Sequence, residues 1–272
     1  MRLILSIIIL FSSIYTTFAK TRYYELVDSV EKNISDCNWA DAENFLLKIL
    51  REYPDDNNNS LIISNLATVQ RYQGKYNEAI KNYSFAIHIT PNSTTLIKNR
   101  ASLYLDLDSL HKAKDDYERL ILIDDKDEES HYYHGILSIR LGDMDAAKKD
   151  FDYILHFNPA SGLGREGLAL WYKERGDNYE AVKYYTELIN FKPTAIHYSN
   201  RAECYLAQKK YNSAADDIKK ALILSPDDGY LYIIRAKLNK ARFQYKDMEQ
   251  DLQMAEKYGY DRKFAEAIIN SK

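Results

Sequence analysis

The prolines of this chain set a period. Pro54, Pro91, Pro159, Pro193 and Pro226 are the five it has, at successive intervals of 37, 68, 34 and 33 residues, so 34 is the repeat and 68 is two of them. A fixed period of this size marks a chain of stacked supersecondary units, each packing on its neighbours, rather than one wrapped around a single core. Alignment on that period places repeats at 23–56, 60–93, 94–127, 128–161, 162–194, 195–228 and 229–262. Asn57 to Asn59 are added after the first repeat, and one residue is missing from the fifth.

The remaining columns fall into register. In the second repeat, Ala67, Tyr76, Ala79, Tyr83, Ala86 and Pro91 have the spacing of two antiparallel helices, joined by a turn at Gly74 and closed by the proline. Column eight reads Val30, Ala67, Ala101, Gly135, Ala169, Ala202, Ala236, and column twenty reads Ala42, Ala79, Ala113, Ala147, Ala181, Ala214, Met248. Small side chains are needed where two helices touch, because bulk would hold them apart. Column twenty-four, Leu46, Tyr83, Tyr117, Phe151, Tyr185, Ile218, Leu252, is large and apolar, as a knob between stacked hairpins must be. The closing proline lacks an N–H and disfavours helix in the residue before it, which ends the second helix.

These columns resemble the tetratricopeptide repeat (TPR) family, and the resemblance covers residues 23–262. Departures are local. Asp125 and Tyr260 replace the closing proline, Leu110 and Met144 replace the usual aromatic, and Asn178 does so with Tyr179 beside it. The resemblance implies an all-α fold, a right-handed α-solenoid of about seven helical hairpins occupying residues 20–262. Residues 263–272 then read as a capping helix, with Phe264, Ile268 and Ile269 on one side and Lys263, Glu266 and Asn270 on the other.

Residues 1–19, MRLILSIIILFSSIYTTFA, carry one cation, Arg2, then an apolar run from Leu3 to Leu10 and small residues around Ala19. This pattern predicts a cleaved secretory signal and an exported, periplasmic or secreted protein. The competing reading is an uncleaved anchor, although the run falls short of the roughly 20 apolar residues a spanning helix needs. In the stack Cys37 and Cys204 lie five repeats apart, tens of ångströms for helices about 10 Å across, so no internal disulfide is expected.

Net charge is −3, and loss of the first nineteen residues removes only Arg2, giving −4, so no electrostatic footprint for nucleic acid is present. About half of the 24 tyrosines fall in core columns, where the ring fills space and the hydroxyl reaches an edge. Asp55 to Asn59 lack the acidic alternation, Gly and distal Glu of a calcium loop. His131 and His134 stand three apart, but their columns face the hairpin interior and no third ligand has suitable spacing, so packing is the better reading. Gly162, Gly164 and Gly167 lack the strand and the Lys-Ser/Thr of a phosphate loop and read as a loosened helix start. No catalytic constellation and no cofactor are expected.

The resemblance implies that the first helix of each hairpin faces a concave groove. There Asn65, Asn99 and Asn200 would hydrogen-bond an extended peptide. Lys98, Arg140, Lys173, Lys237 and Lys240 add cations, Tyr72, Tyr132 and Tyr230 stacking surfaces, and Glu166 and Glu203 anions. The pair of Lys and Asn one turn apart that marks carboxylate-gripping members is missing, since Lys98 is followed by Ser102. The leading expectation is a non-catalytic scaffold binding a peptide or partner protein through Asn65, Lys98, Asn99, Tyr132, Asn200 and Lys237. The alternatives are an assembly subunit of an envelope or secretion complex, using convex or end surfaces, and a tyrosine-lined sugar-handling surface.

Overall fold

A computed structural model describes residues 21–270, so the signal stretch expected over residues 1–19 lies outside the described residues. Among the described residues the chain forms fifteen helices and no strand. They are α1 (21–35), α2 (Trp39–Glu52), α3 (Asn59–Tyr72), α4 (Tyr76–Ile89), α5 (Thr94–Asp106), α6 (Leu110–Ile123), α7 (Glu128–Arg140), α8 (Met144–Phe157), α9 (Gly162–Glu174), α10 (Asn178–Phe191), α11 (Ala195–Ala207), α12 (Tyr211–Leu224), α13 (Gly229–Ala241), α14 (Tyr245–Lys257) and α15 (Arg262–Asn270). The chain divides into two compact units, an N-terminal one, Met1–Asp125, and a C-terminal one, Lys126–Lys272.

Within each unit consecutive helices pack pairwise as hairpins, which is the arrangement of a TPR solenoid. The small columns explain it. Ala67, Ala79, Ala101 and Ala113 are wholly buried in the N-terminal unit, and Ala147, Ala169, Ala181, Ala202, Ala214 and Ala236 in the C-terminal unit. The large column is buried throughout, from Leu46 to Leu252. Tyr83 shows how a tyrosine serves there: its ring is buried while its hydroxyl meets Thr68 Oγ1 at 2.8 Å.

Each first helix ends alike. The amide two residues past the helix cap bonds back to a carbonyl five residues earlier, as in Lys75 N to Gln70 O at 2.9 Å and Lys210 N to Tyr205 O at 2.8 Å. This closure needs one residue with positive φ between them. Gly74, Gly142 and Gly176 fill that place, but so do Cys37, Asp108, Lys209 and Phe243, with φ between 52° and 60°. The turn geometry is therefore imposed by hairpin packing even where a side chain opposes it.

The glycines of α9 bear on one expectation. The helix runs from Gly162, and its opening bond, Arg165 N to Ser161 O at 3.5 Å, is longer than the 3.2 Å of Tyr198 N to Thr194 O that opens α11, in line with a loosened start. A Cβ on Gly167 would lie 2.1 Å from Phe151 Cδ1, and one on Gly164 would lie 2.8 Å from Leu155 Cγ. Gly164 and Gly167 let α9 approach α8 closely, whereas a Cβ on Gly162 would meet nothing within 4 Å. Cys37 is exposed and Cys204 buried, and both are free thiols; burial pushes the Cys204 thiol up to about 12.

Candidate functional site

The polar residues of the first helices in the C-terminal unit form a ladder. Side chains three, four or seven positions apart share one face of a helix. On α9 that face carries Glu166 and Lys173, on α11 Asn200 and Glu203, and on α13 Tyr230 and Lys237. Tyr132 of α7 donates its hydroxyl to Glu166 Oε1 at 3.3 Å. Lys173 donates to Asn200 Oδ1 at 2.8 Å and forms an ion pair with Glu203. Tyr230 donates to the other oxygen of Glu203 at 2.8 Å. Burial, with the facing glutamate adding to it, pushes both the Tyr132 and the Tyr230 phenol up, so both remain hydrogen-bond donors.

The residues singled out from sequence are divided between the two compact units. Asn65 is exposed on α3, and Lys98 and Asn99 are half-buried on α5, in the N-terminal unit. Nearby on those helices, Arg71 donates to Ser102 Oγ at 3.1 Å and pairs with Asp106. Tyr132, Asn200 and Lys237 belong to the C-terminal unit and are all half-buried. There the first two are joined to neighbouring helices, so Tyr132 presents a bonded hydroxyl and not only a ring to stack on. Tyr72, also expected to offer a ring, stacks on Trp39 with centroids 4.5 Å apart.

A second pattern escaped the sequence reading. Arg100 grips both oxygens of Asp116, through Nε at 2.9 Å and Nη2 at 2.6 Å. Arg201 does the same to Asp217, at 2.7 and 2.8 Å. Arg235 holds Asp251. Each pair spans sixteen residues and ties the two helices of one hairpin, with the aspartates almost fully buried. Columns seven and twenty-three held the signal, but they lie outside the apolar positions that set the register. In the fourth hairpin histidines take the arginine's place: His131 Nδ1 and His134 Nδ1 face the two oxygens of Asp150 at 2.9 and 2.6 Å. Burial alone would raise the Asp150 carboxyl, and these hydrogen bonds outweigh it and hold it below the usual range. Among the described residues no group of three or more histidines, cysteines or carboxylates is placed to hold a metal. Among them also, no helix is long and apolar enough to cross a membrane.

Helical hairpins welded by internal charge pairs, with polar first-helix faces, define a helical repeat protein. Comparison with known proteins makes this specific. Tetratricopeptide repeat models match residues 99–127 and 165–229. The crystal structure of a tetratricopeptide repeat protein from Parabacteroides merdae is 32% identical, covers 91% of this chain and 97% of its own, and superposes with a TM-score of 0.80. The chain belongs to the tetratricopeptide repeat family. Such proteins generally mediate protein–protein interactions, and the fold is typically a non-catalytic scaffold. Mouse sperm-associated antigen 1 is 38% identical over 77 residues, which are 28% of this chain and 8% of that protein. The chain thus matches under a tenth of that curated relative's length. The structure of PilW, a type IV pilus biogenesis factor, shares the fold at 17% identity and a TM-score of 0.65, covering 78% of this chain and all of its own.

Proposed function

We propose that the protein is a non-catalytic scaffold that binds a peptide segment or partner protein along its first-helix faces. The observation that carries this reading is the ladder of Tyr132, Glu166, Lys173, Asn200, Glu203 and Tyr230, bonded from helix to helix. An extended peptide offers one N–H and one C=O per residue, and such a row of donors and acceptors complements it. Asn65, Lys98 and Asn99 supply the corresponding face of the N-terminal unit, and Lys237 adds a cation to that of the C-terminal unit. The composition of residues 1–19 supports export to a periplasmic or extracellular compartment, with cleavage after Ala19.

The test begins with capture of a partner by the mature chain from its own envelope fraction, identified by mass spectrometry. Binding of that purified partner should fall at least tenfold, about 1.4 kcal/mol, on Asn200→Ala with Lys237→Glu. It should be unchanged by Lys183→Glu on the exposed side of α10. The reverse pattern would favour an assembly subunit that works through its second helices. That reading draws on exposed apolar residues there, Phe191 at 86% and Ile223 at 71%, and on the likeness in fold to a pilus biogenesis factor.

A further inference from the structure

The internal charge pair has a third arm in two hairpins and lacks it in another. In the N-terminal unit Arg100, besides holding Asp116, sends Nη1 back to Ser84 Oγ on α4 at 2.9 Å. In the C-terminal unit Arg201 Nη1 reaches Thr186 Oγ1 on α10, again at 2.9 Å. The hydroxyl thus links each arginine to the hairpin before its own. Ser84 precedes Arg100 by sixteen positions, and the residue sixteen before Arg235 is Lys219 on α12. An ammonium has no acceptor, so Arg235 lacks the partner that its two counterparts have.

The seam is correspondingly open. The Arg235 side chain is 39% exposed, against 17% for Arg100 and 12% for Arg201. A cavity of about 320 Å³ lies there, with Lys219, Arg235 and Arg242 among its walls and Ile218, Leu222 and Leu238 beside them. None of the lining residues is acidic. Arg242 is fixed in place by Tyr211 O and Asn212 Oδ1, each 2.9 Å from its Nη2. Arg235 is held by Asp251, whose second oxygen is taken by Asn239 Nδ2 at 2.8 Å. Arg235 with its Asp251 partner behind it, Arg242 and the Lys219 ammonium therefore share the cavity wall with aliphatic side chains, and no acidic residue lines it.

We propose that this seam between α12 and α13 is a second binding site, which takes a carboxylate side chain of a partner polypeptide together with the apolar group next to it. Arg235 gives Nε and Nη2 to Asp251, and its Nη1, which in the two counterparts meets a hydroxyl, is the donor a carboxylate would take, while the aliphatic side chains beside it give the neighbouring apolar group a surface to pack on. The volume stands at the lower end of ligand sites and suits one acidic and one aliphatic side chain. Ile223, which also lines the cavity, is 71% exposed and extends the apolar surface outward, as an extended polypeptide would use and a free small acid would not. The site is separate from the first-helix ladder and stands whether or not that ladder binds a peptide.

The probe is the blocked peptide acetyl-Leu-Asp-Leu-amide with its Asn counterpart, titrated into the mature chain while the Nε–H resonances of Arg235 and Arg242 are followed by NMR. The aspartyl peptide should shift both resonances saturably and bind at least tenfold more tightly than the asparaginyl one. Lys219→Thr restores the hydroxyl found at Thr186 and should abolish the response while raising the melting temperature. Lys219→Glu, which places a carboxylate of the chain itself at the seam, should abolish the response too. Equal binding of both peptides, no saturable shift at millimolar peptide, or full affinity in either variant would overturn the proposal.

Discussion

Phe151 shows what a single side chain demands of its neighbours. Its ring fills the space left by Gly135 of α7 and Gly167 of α9, where added Cβ atoms would come within 2.6 and 2.1 Å. Two effects compete in Gly167→Ala. Helix propensity favours alanine by about 1 kcal/mol, whereas overpacking a tight core costs about 1–3 kcal/mol. The overlap here is with a ring held between two helices, so the second effect wins. Gly167→Ala should lower stability by about 1–2 kcal/mol, read as a lower urea midpoint at unchanged slope, and Phe151→Leu added to it should recover part of the loss.

Each hairpin is held by its columns of small residues and, in three hairpins, by an Arg–Asp pair. Arg201 and Asp217 are both largely buried, so removing one leaves the other's charge without compensation. Arg201→Leu should cost about 3 kcal/mol, and Arg201→Leu with Asp217→Leu should cost less than the single change, which a double-mutant cycle by chemical denaturation would show. The hairpins themselves were legible because alanine columns and closing prolines repeat in the one dimension a sequence has. The charge pairs are equally periodic, but polar columns also occur on solvated faces, and only burial distinguishes the two. The ladder was half legible. Register puts Tyr132, Asn200 and Lys237 on first helices, yet it cannot tell that Tyr132 reaches Glu166 or that Asn200 accepts from Lys173, since those contacts join residues 34 and 27 apart through chosen rotamers. The packing role of Gly164 and Gly167 was not legible, because flexibility and close approach call for the same residue.

Over the whole molecule the carboxylates give acid stability a sign. Glu43 in the N-terminal unit and Asp150 in the C-terminal unit are both buried enough to be raised, yet their hydrogen-bond donors win and hold them low. A carboxylate lower in the folded than in the unfolded chain stabilises above its unfolded value, near pH 4, and that contribution is lost as pH falls through the folded value. Asp251 opposes them: burial raises it over the pull of Arg235, so its ionisation weighs against the fold as pH rises. The lowered pair should dominate, giving a melting temperature that declines below about pH 4, and Asp150→Asn should make that decline shallower. A steeper decline in the variant would contradict the assignment. The sixteen-residue span of each charge pair bears on synthesis as well. Closing so short a loop costs little chain entropy and draws only on local sequence. A hairpin can therefore close its pair soon after leaving the ribosome and be held once the next hairpin docks on it, so the order of translation becomes an order of assembly.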